Sequence, residues 1–227
     1  MGELLVVPVN GIRMACEVAG DEGAPPVMLL AGRGYGRADW AGVMGKLAPS
    51  WRVYAPDLRG HGDSEWPGVY GLELMRDDVI ALLDHLGGAR VALVAHSLGG
   101  VVACLVAHER PDLVDRLVLE DVPALRPADV PIPQRPAGTL PYDWAMIEQT
   151  AAERRNPDPA WVERLSEITA PTLVIAGGAA SHVSQESVAE VAARIPGARL
   201  VTIEAGHDVH ATRPADFLAV LTDFLGH

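Results

Sequence analysis

The chain contains few of the residues that mark redox, metal, nucleic-acid or membrane proteins. Its 227 residues include only two cysteines, Cys16 and Cys104, and neither lies in a metal-binding or redox spacing. Basic residues are scarce, since 18 Lys and Arg against 30 Asp and Glu give a formal net charge of −12. This balance argues against binding to nucleic acid or to an anionic membrane surface.

Long apolar runs are also missing. No segment approaches the roughly 20 apolar residues that span a bilayer. Residues 1–4 have no basic flank ahead of an apolar region, so we expect no secretory signal. We therefore expect a one-domain cytoplasmic protein whose partner is a small-molecule substrate, with no nucleic-acid or membrane partner, no cofactor and no metal. The sequence does not indicate an oligomeric state.

Strand-like and helix-like segments alternate along most of the chain. Residues 4–9 and 12–18, joined by Asn10-Gly11, predict a β-hairpin. Further strands are predicted at residues 27–30, 51–55, 91–95, 117–120, 172–176 and 199–203, with amphipathic helices between them. This alternation predicts an α/β fold in which helices cover both faces of a mostly parallel sheet.

One segment, residues 122–169, contains no strand pattern. Two short helices are predicted in it, at 142–155 and 160–168. Its first half carries six prolines, which exclude a helix interior or a central strand: Pro123, Pro127, Pro131, Pro133, Pro136 and Pro141. We interpret 122–169 as a lid over a core formed by 1–121 and 170–227; the alternative is a surface linker. Its mostly apolar composition favours an apolar substrate.

The strand predicted at 91–95 runs directly into His96-Ser97-Leu98-Gly99-Gly100. A serine flanked by the small residues Ala95 and Gly99 at a strand–helix junction is typical of a nucleophile elbow, whose strained turn lifts the hydroxyl above the sheet edge. The Leu98 N–H then faces the position of a substrate oxyanion. The alternative is a Ser-Gly turn that only begins a helix.

A serine nucleophile needs a neighbouring base. His207 follows the last predicted strand and precedes the last predicted helix, so we expect it at the C-terminal edge of the sheet, where such folds collect their catalytic groups. His210 follows at helical spacing, but no carboxylate or cysteine in the sequence completes a metal site around it, and we reject a metal there.

With these features the chain resembles the α/β-hydrolase-fold superfamily, in particular its lidded serine esterases, lactonases and C–C hydrolases. Three stretches carry the resemblance: Asp57–Ser64 (DLRGHGDS), the elbow at Ser97, and Ala205-Gly206-His207. They extend over nearly the whole chain and are specific for the fold rather than for a substrate. The resemblance implies an eight-stranded sheet, Ser97 as nucleophile, His207 as base and the Arg33 N–H as a second oxyanion donor.

The sequence departs from the family pattern at two places. The oxyanion loop begins with Ala31-Gly32 instead of His-Gly, so the support of a histidine side chain is missing there. The stretch after the seventh strand, residues 177–182, contains no carboxylate. Glu120-Asp121, at the end of the sixth strand, is the substitute. We favour Asp121, which can turn over the sheet edge toward His207; Glu120, or no acid at all, remains open.

Charged residues near these motifs have structural interpretations as well. Arg59 is expected to pair with Asp57 or Asp63 and to shape the loop that contains them. Arg33 either holds that loop through a salt bridge or, if it faces the pocket, binds a carboxylate or phosphate of the substrate.

These observations predict a serine hydrolase that acts by acyl transfer on a small or medium, mainly apolar ester, lactone or thioester. The alternative is a non-hydrolytic member of the fold: a lyase, a cyclase of a biosynthetic intermediate or a ligand receptor. A dinucleotide-binding domain is disfavoured, since Arg37 stands where its glycine motif needs a small residue. Dehalogenases and epoxide hydrolases are disfavoured because they need a carboxylate where Ser97 stands.

Overall fold

A computed structural model describes residues 2–129 and 133–226. Met1, His227 and residues 130–132, with Pro131 of the predicted lid, lie outside the described residues. The described strands form one sheet in the order β1-β2-β4-β3-β5-β6-β7-β8, in which β3 to β8 run parallel. Their bounds are β1 Glu3–Val9, β2 Ile12–Ala19, β3 Pro26–Leu30, β4 Arg52–Pro56, β5 Val91–His96, β6 Val114–Glu120, β7 Thr172–Ala176 and β8 Arg199–Thr202. The predicted eight-stranded, mostly parallel sheet is confirmed.

Strand β2 pairs antiparallel with both of its neighbours, with β1 in the N-terminal hairpin and with β4 on its other side. β1 and β2 pair through seven residues each, from Glu3 opposite Val18 to Val9 opposite Ile12. Asn10 and Gly11 both have positive φ, 38° and 81°. This is the backbone of a two-residue turn that matches the twist of the strands, and Asn-Gly is the sequence that adopts it most readily.

Helices lie between the strands as the periodicity predicts. Their bounds are α1 Ala41–Leu47, α2 Leu72–His85, α3 Ser97–Glu109, α4 Trp144–Arg155, α5 Trp161–Arg164, α6 Gln185–Arg194, α7 Val209–Thr212 and α8 Pro214–Leu225. In the described ranges, none of these helices combines the length and the apolar character that crossing a membrane requires.

The central strand β5 shows how the core divides into two layers. Leu93 and Ala95 pack against the face covered by α2, α3 and α6. Ala92 and Val94, which alternate with them, pack against the face covered by α1 and α8. Because successive side chains of a strand point to opposite faces, a strand covered on both faces must be apolar throughout.

The 122–169 segment packs on the core where the structure describes it. Trp161 and Met146 are buried. The Tyr70 hydroxyl donates to Asp143 Oδ2 at 2.7 Å, and the Leu72 N–H donates to Glu153 Oε2 at 3.0 Å. α4 is therefore fixed to the loop that leads from β4 to α2.

The pairing predicted for Arg59 is wrong. Its guanidinium binds Asp78 of α2 through two hydrogen bonds of 2.5 Å, and both residues are buried. Asp57 and Asp63 pair instead with Arg37. The prediction followed proximity in sequence, whereas the fold brings α2 against the end of β1 and Asn10 also donates to Asp78, at 3.0 Å.

We expect Asp78→Asn to lower the free energy of unfolding by about 3 kcal/mol or more, because it leaves the buried Arg59 cation without its counter-charge. Urea unfolding measures this change. Asp77→Asn is the matched control: its side chain is 45% exposed and pairs with Arg76 at the surface, so its loss should change stability by less than about 1 kcal/mol. Equal effects of the two variants would contradict a structural role for the buried pair.

Candidate active site

Ser97 occupies a strained backbone position between β5 and α3. Its φ is +50°, in the left-handed region that residues with a side chain rarely adopt. A Cβ at Gly99 would lie 2.5 Å from the Leu30 carbonyl oxygen and 2.6 Å from that of Ala31, so only glycine fits there. The local geometry is that of a nucleophile elbow.

Asp121 occupies the equivalent position after the neighbouring strand. His96 of β5 pairs with Glu120 of β6, so Ser97 and Asp121 leave the sheet at the same level. Asp121 also has a positive φ, +49°, and its N–H donates to the Ile175 carbonyl at 2.8 Å. The chain thus turns over the edge of the sheet at Asp121.

The structure brings Asp121 and His207 together. His207 Nδ1 lies 2.7 Å from Asp121 Oδ2. The same carboxylate accepts from Ser181 Oγ at 2.5 Å, from Gln185 Nε2 at 3.0 Å and from the Gly177 N–H at 2.9 Å.

These donors determine the charge of the acid. Burial would raise the pKa of Asp121, but the hydrogen bonds from His207, Gln185, Ser181 and Gly177 together lower it below the ordinary value. An ionised carboxylate can only accept hydrogen bonds, so the Nδ1 that faces it carries the proton and Nε2 of His207 is left as the acceptor.

Glu120 points to a different histidine. Its carboxylate lies 2.8 Å from His210 Nδ1 and also accepts from the His210 N–H at 2.8 Å. Both residues are buried. Of the two acids that the sequence left open, Asp121 contacts His207 and Glu120 contacts His210.

His210 lies between two carboxylates. Its Nε2 is 3.3 Å from Asp39 Oδ2, an ion-pair distance, and Trp40 stacks on its ring at 4.2 Å. Burial alone would lower the pKa of His210, but the negative charges of Asp39 and Glu120 and the hydrogen bond to Glu120 outweigh it and raise this pKa to about 10. With this pKa, His210 is a buried imidazolium at neutral pH.

The same residues bear on metal binding. Asp39, His96 and His210 offer ligand atoms within 4.8 Å of one another, so the sequence argument that no carboxylate stands near His210 is wrong. Both nitrogens of His210 face carboxylates, however, and the raised pKa of the ring keeps both protonated at neutral pH. A protonated nitrogen has no lone pair to offer a metal, and the grouping is better described as an ion-pair network.

A histidine that sequence analysis did not connect with the oxyanion loop supports this loop. His61 is fully buried; its Nε2 accepts from the Gly34 N–H at 3.1 Å, and its Nδ1 lies 3.1 Å from the Arg59 carbonyl oxygen. The family pattern places a histidine at position 31, where this chain has alanine. The sequence signal for this contact is His61 in the DLRGHGDS stretch.

Four of the five predicted site residues line one cavity of about 630 Å³. Ser97, Leu98, His207 and Arg33 line it, and Asp121 lies behind His207. The Leu98 N–H belongs to the first turn of α3, where backbone donors have no partner within the helix. Ser97 and His207 face this cavity without a hydrogen bond between them, which is common before substrate binds.

Comparisons with known proteins agree with this architecture. A family model described as alpha/beta hydrolase fold matches residues 25–151. An sn-1-specific diacylglycerol lipase of Mus musculus is 26% identical over an alignment that covers 77% of this chain and 71% of the lipase.

Two solved structures are similar over nearly their whole length. A hydrolase from Pseudomonas aeruginosa superposes with a TM-score of 0.87 at 28% identity, covering 100% of this chain and 99% of the other. An enol-lactonase from Burkholderia xenovorans superposes with a TM-score of 0.88 at 24% identity, covering 98% and 100%.

We expect His210 to remain protonated at pH 8, where an unperturbed histidine is neutral. Since folding raises its pKa, its contribution to stability is fully present below about pH 6.5 and is lost as the pH rises toward 10. Nitrogen-15 NMR of the histidine ring reports the protonation state directly. A neutral His210 ring in the folded protein at pH 8 would contradict the assignment.

Proposed function

Because the chain belongs to the alpha/beta hydrolase fold family, we propose that it is a serine hydrolase. It acts by acyl transfer on a small or medium, mainly apolar ester, lactone or thioester. The observation that carries the proposal is the 2.7 Å contact between His207 Nδ1 and Asp121 Oδ2, beside a cavity that Ser97 and His207 line together. The similarity to a lipase, an enzyme that cleaves carboxylic esters, supports an ester-type bond.

In the first half-reaction, His207 Nε2 takes the proton of the Ser97 hydroxyl while Oγ attacks the substrate carbonyl carbon. The carbonyl oxygen becomes an oxyanion, which the N–H groups of Arg33 and Leu98 stabilise. The tetrahedral intermediate then breaks its bond to the leaving group, and His207 returns the proton to the departing oxygen or sulfur.

In the second half-reaction, water replaces the leaving group. His207 Nε2 removes a proton from water, whose oxygen attacks the acyl carbon bound to Ser97. Collapse of the second intermediate breaks the bond to Oγ, and His207 returns the proton to Ser97. Asp121 stabilises the imidazolium that forms in both halves and holds the ring with Nε2 toward the cavity.

The position of the acid is the main departure from the family pattern. Residues 177–182 provide no carboxylate, but Ser181 and the Gly177 N–H both donate to Asp121. The loop after β7 therefore still contributes to the acid, as a donor of hydrogen bonds to a carboxylate that the neighbouring strand supplies.

We expect a fluorophosphonate probe to label the folded protein at Ser97, and Ser97→Ala to abolish both labelling and ester hydrolysis, because Ser97 lies at an elbow in the cavity that His207 also lines. Ser166→Ala is the control, since Ser166 is exposed and outside the cavity, and it should label normally. Absence of labelling in folded wild-type protein would favour the lyase or receptor alternative instead.

We expect Asp121→Asn to lower kcat for a 4-nitrophenyl ester by about three to four orders of magnitude. The asparagine amide would donate to Nδ1, so Nε2 would carry the proton and could no longer accept one from Ser97. Glu120→Gln should have the opposite profile, with lower stability in urea and nearly normal kcat per folded molecule, because Glu120 holds His210. Near-normal kcat in Asp121→Asn would remove Asp121 from the proposed triad.

A further inference from the structure

The cavity differs in charge from the rest of the molecule. The chain carries a formal net charge of −12, yet the described residues that line the cavity include Arg33, Arg126 and Arg154 and no aspartate or glutamate. Such a local excess of positive charge, in an acidic protein and next to the proposed nucleophile, requires an explanation.

One of the three arginines is neutralised. Arg126 binds Glu190 of α6, with Nε 3.0 Å from Oε2 and a second, shorter contact between Nη2 and Oε1. The positive charge that remains available in the cavity belongs to Arg33, in the loop after β3, and to Arg154, in the last turn of α4.

Neither Arg33 nor Arg154 forms an ion pair with a described residue, whereas most other arginines do; Arg59, bound to Asp78, is an example. Arg33 Nη1 is buried and has no hydrogen-bond partner in the described chain. A buried donor without an acceptor is costly, and an anion bound in the cavity would supply the missing acceptor.

The two guanidinium groups also repel one another. Burial lowers the pKa of Arg33, and the positive charge of Arg154 lowers it further; burial lowers the pKa of Arg154 as well. Guanidinium groups nevertheless stay protonated in proteins. An anion between them would relieve both the desolvation and the repulsion.

We propose that Arg33 and Arg154 form a subsite for a carboxylate on the substrate, so that the preferred substrates are half-esters of small dicarboxylic acids or lactones that bear a carboxylate. This inference rests on the proposed hydrolase function and specifies its substrate class. A planar carboxylate matches the donor fork of a guanidinium, and its two oxygens offer lone pairs to more than one such group. The apolar lining, with Leu72, Val101 and Leu125, fits the aliphatic chain between the carboxylate and the ester.

The test compares substrates of equal shape and different charge. 4-Nitrophenyl half-esters of succinate, glutarate and adipate are each paired with the neutral ester that has a methyl group in place of the carboxylate. Ser97→Ala protein gives the background rate. The measured quantity is the ratio of kcat/KM for the half-ester to kcat/KM for its neutral partner. For wild-type protein we expect this ratio to exceed one for at least one chain length.

Substitutions in α4 then show which arginine causes the preference for the half-ester. Arg154→Gln should lower the ratio by about 10- to 100-fold, the range expected for a hydrogen bond to a charged group, and Arg154→Lys should keep part of it. Arg155→Gln is the matched control, since it removes the same charge from the next residue, which is exposed and outside the cavity. Its ratio should equal that of wild type. Circular dichroism verifies that each variant is folded.

A binding experiment separates this inference from the hydrolase proposal. Calorimetry should show that Ser97→Ala protein binds monomethyl adipate with a lower Kd than methyl hexanoate. Adding Arg154→Gln to this variant should remove the difference in Kd. Binding selectivity without Ser97-dependent turnover would overturn the hydrolase proposal and keep the subsite. The subsite is wrong if active wild-type protein shows ratios of one or below at every chain length, or if Arg155→Gln changes the ratio as much as Arg154→Gln.

Discussion

The register between β5 and β6 is the constraint on which the proposed site depends. It pairs His96 with Glu120, so the next residue of each strand, Ser97 or Asp121, leaves the sheet at the same edge. Both have φ near +50°, a conformation that costs of order 1–3 kcal/mol for a residue with a side chain. The strain is tolerated because apolar packing around the buried strands β5 and β6 holds the backbone in place. A shift of one residue that put Asp121 in the position of Glu120 would turn its side chain into the sheet and leave Val122 in the position of the acid.

Much of this arrangement could be predicted from the sequence, because it depends on local patterns and on strand topology. The apolar run at β5, the small residues around Ser97 and the glycine before His207 each specify backbone shape over a few residues. The preference for Asp121 over Glu120 needed only the alternation of side chains along β6. Where periodicity and turn chemistry determine the local structure, as in the Asn10-Gly11 hairpin, a single sequence is sufficient to predict it.

Contacts between segments distant in sequence could not be predicted in the same way. Arg59 pairs with Asp78 and not with the nearer Asp57, because the fold places α2 against the loop and gives Asp57 to Arg37. His61 supports the oxyanion loop from 27 residues away. Arg33 shares its cavity with Arg154 of α4, and α4 belongs to the segment whose path the sequence specified least. In each case a charged or polar side chain had several possible partners, and tertiary packing chose one.

Two acid–histidine pairs lie side by side at this edge of the sheet and have different roles. Asp121 fixes His207 with Nδ1 protonated, and Glu120 holds His210 as a buried cation. Nitrogen-15 NMR of labelled histidine is the most direct test. In neutral His207 we expect the proton on Nδ1, with its signal lost in Asp121→Asn and retained in Glu120→Gln. A neutral His207 ring protonated at Nε2 in the wild-type protein, or one unaffected by Asp121→Asn, would contradict the account.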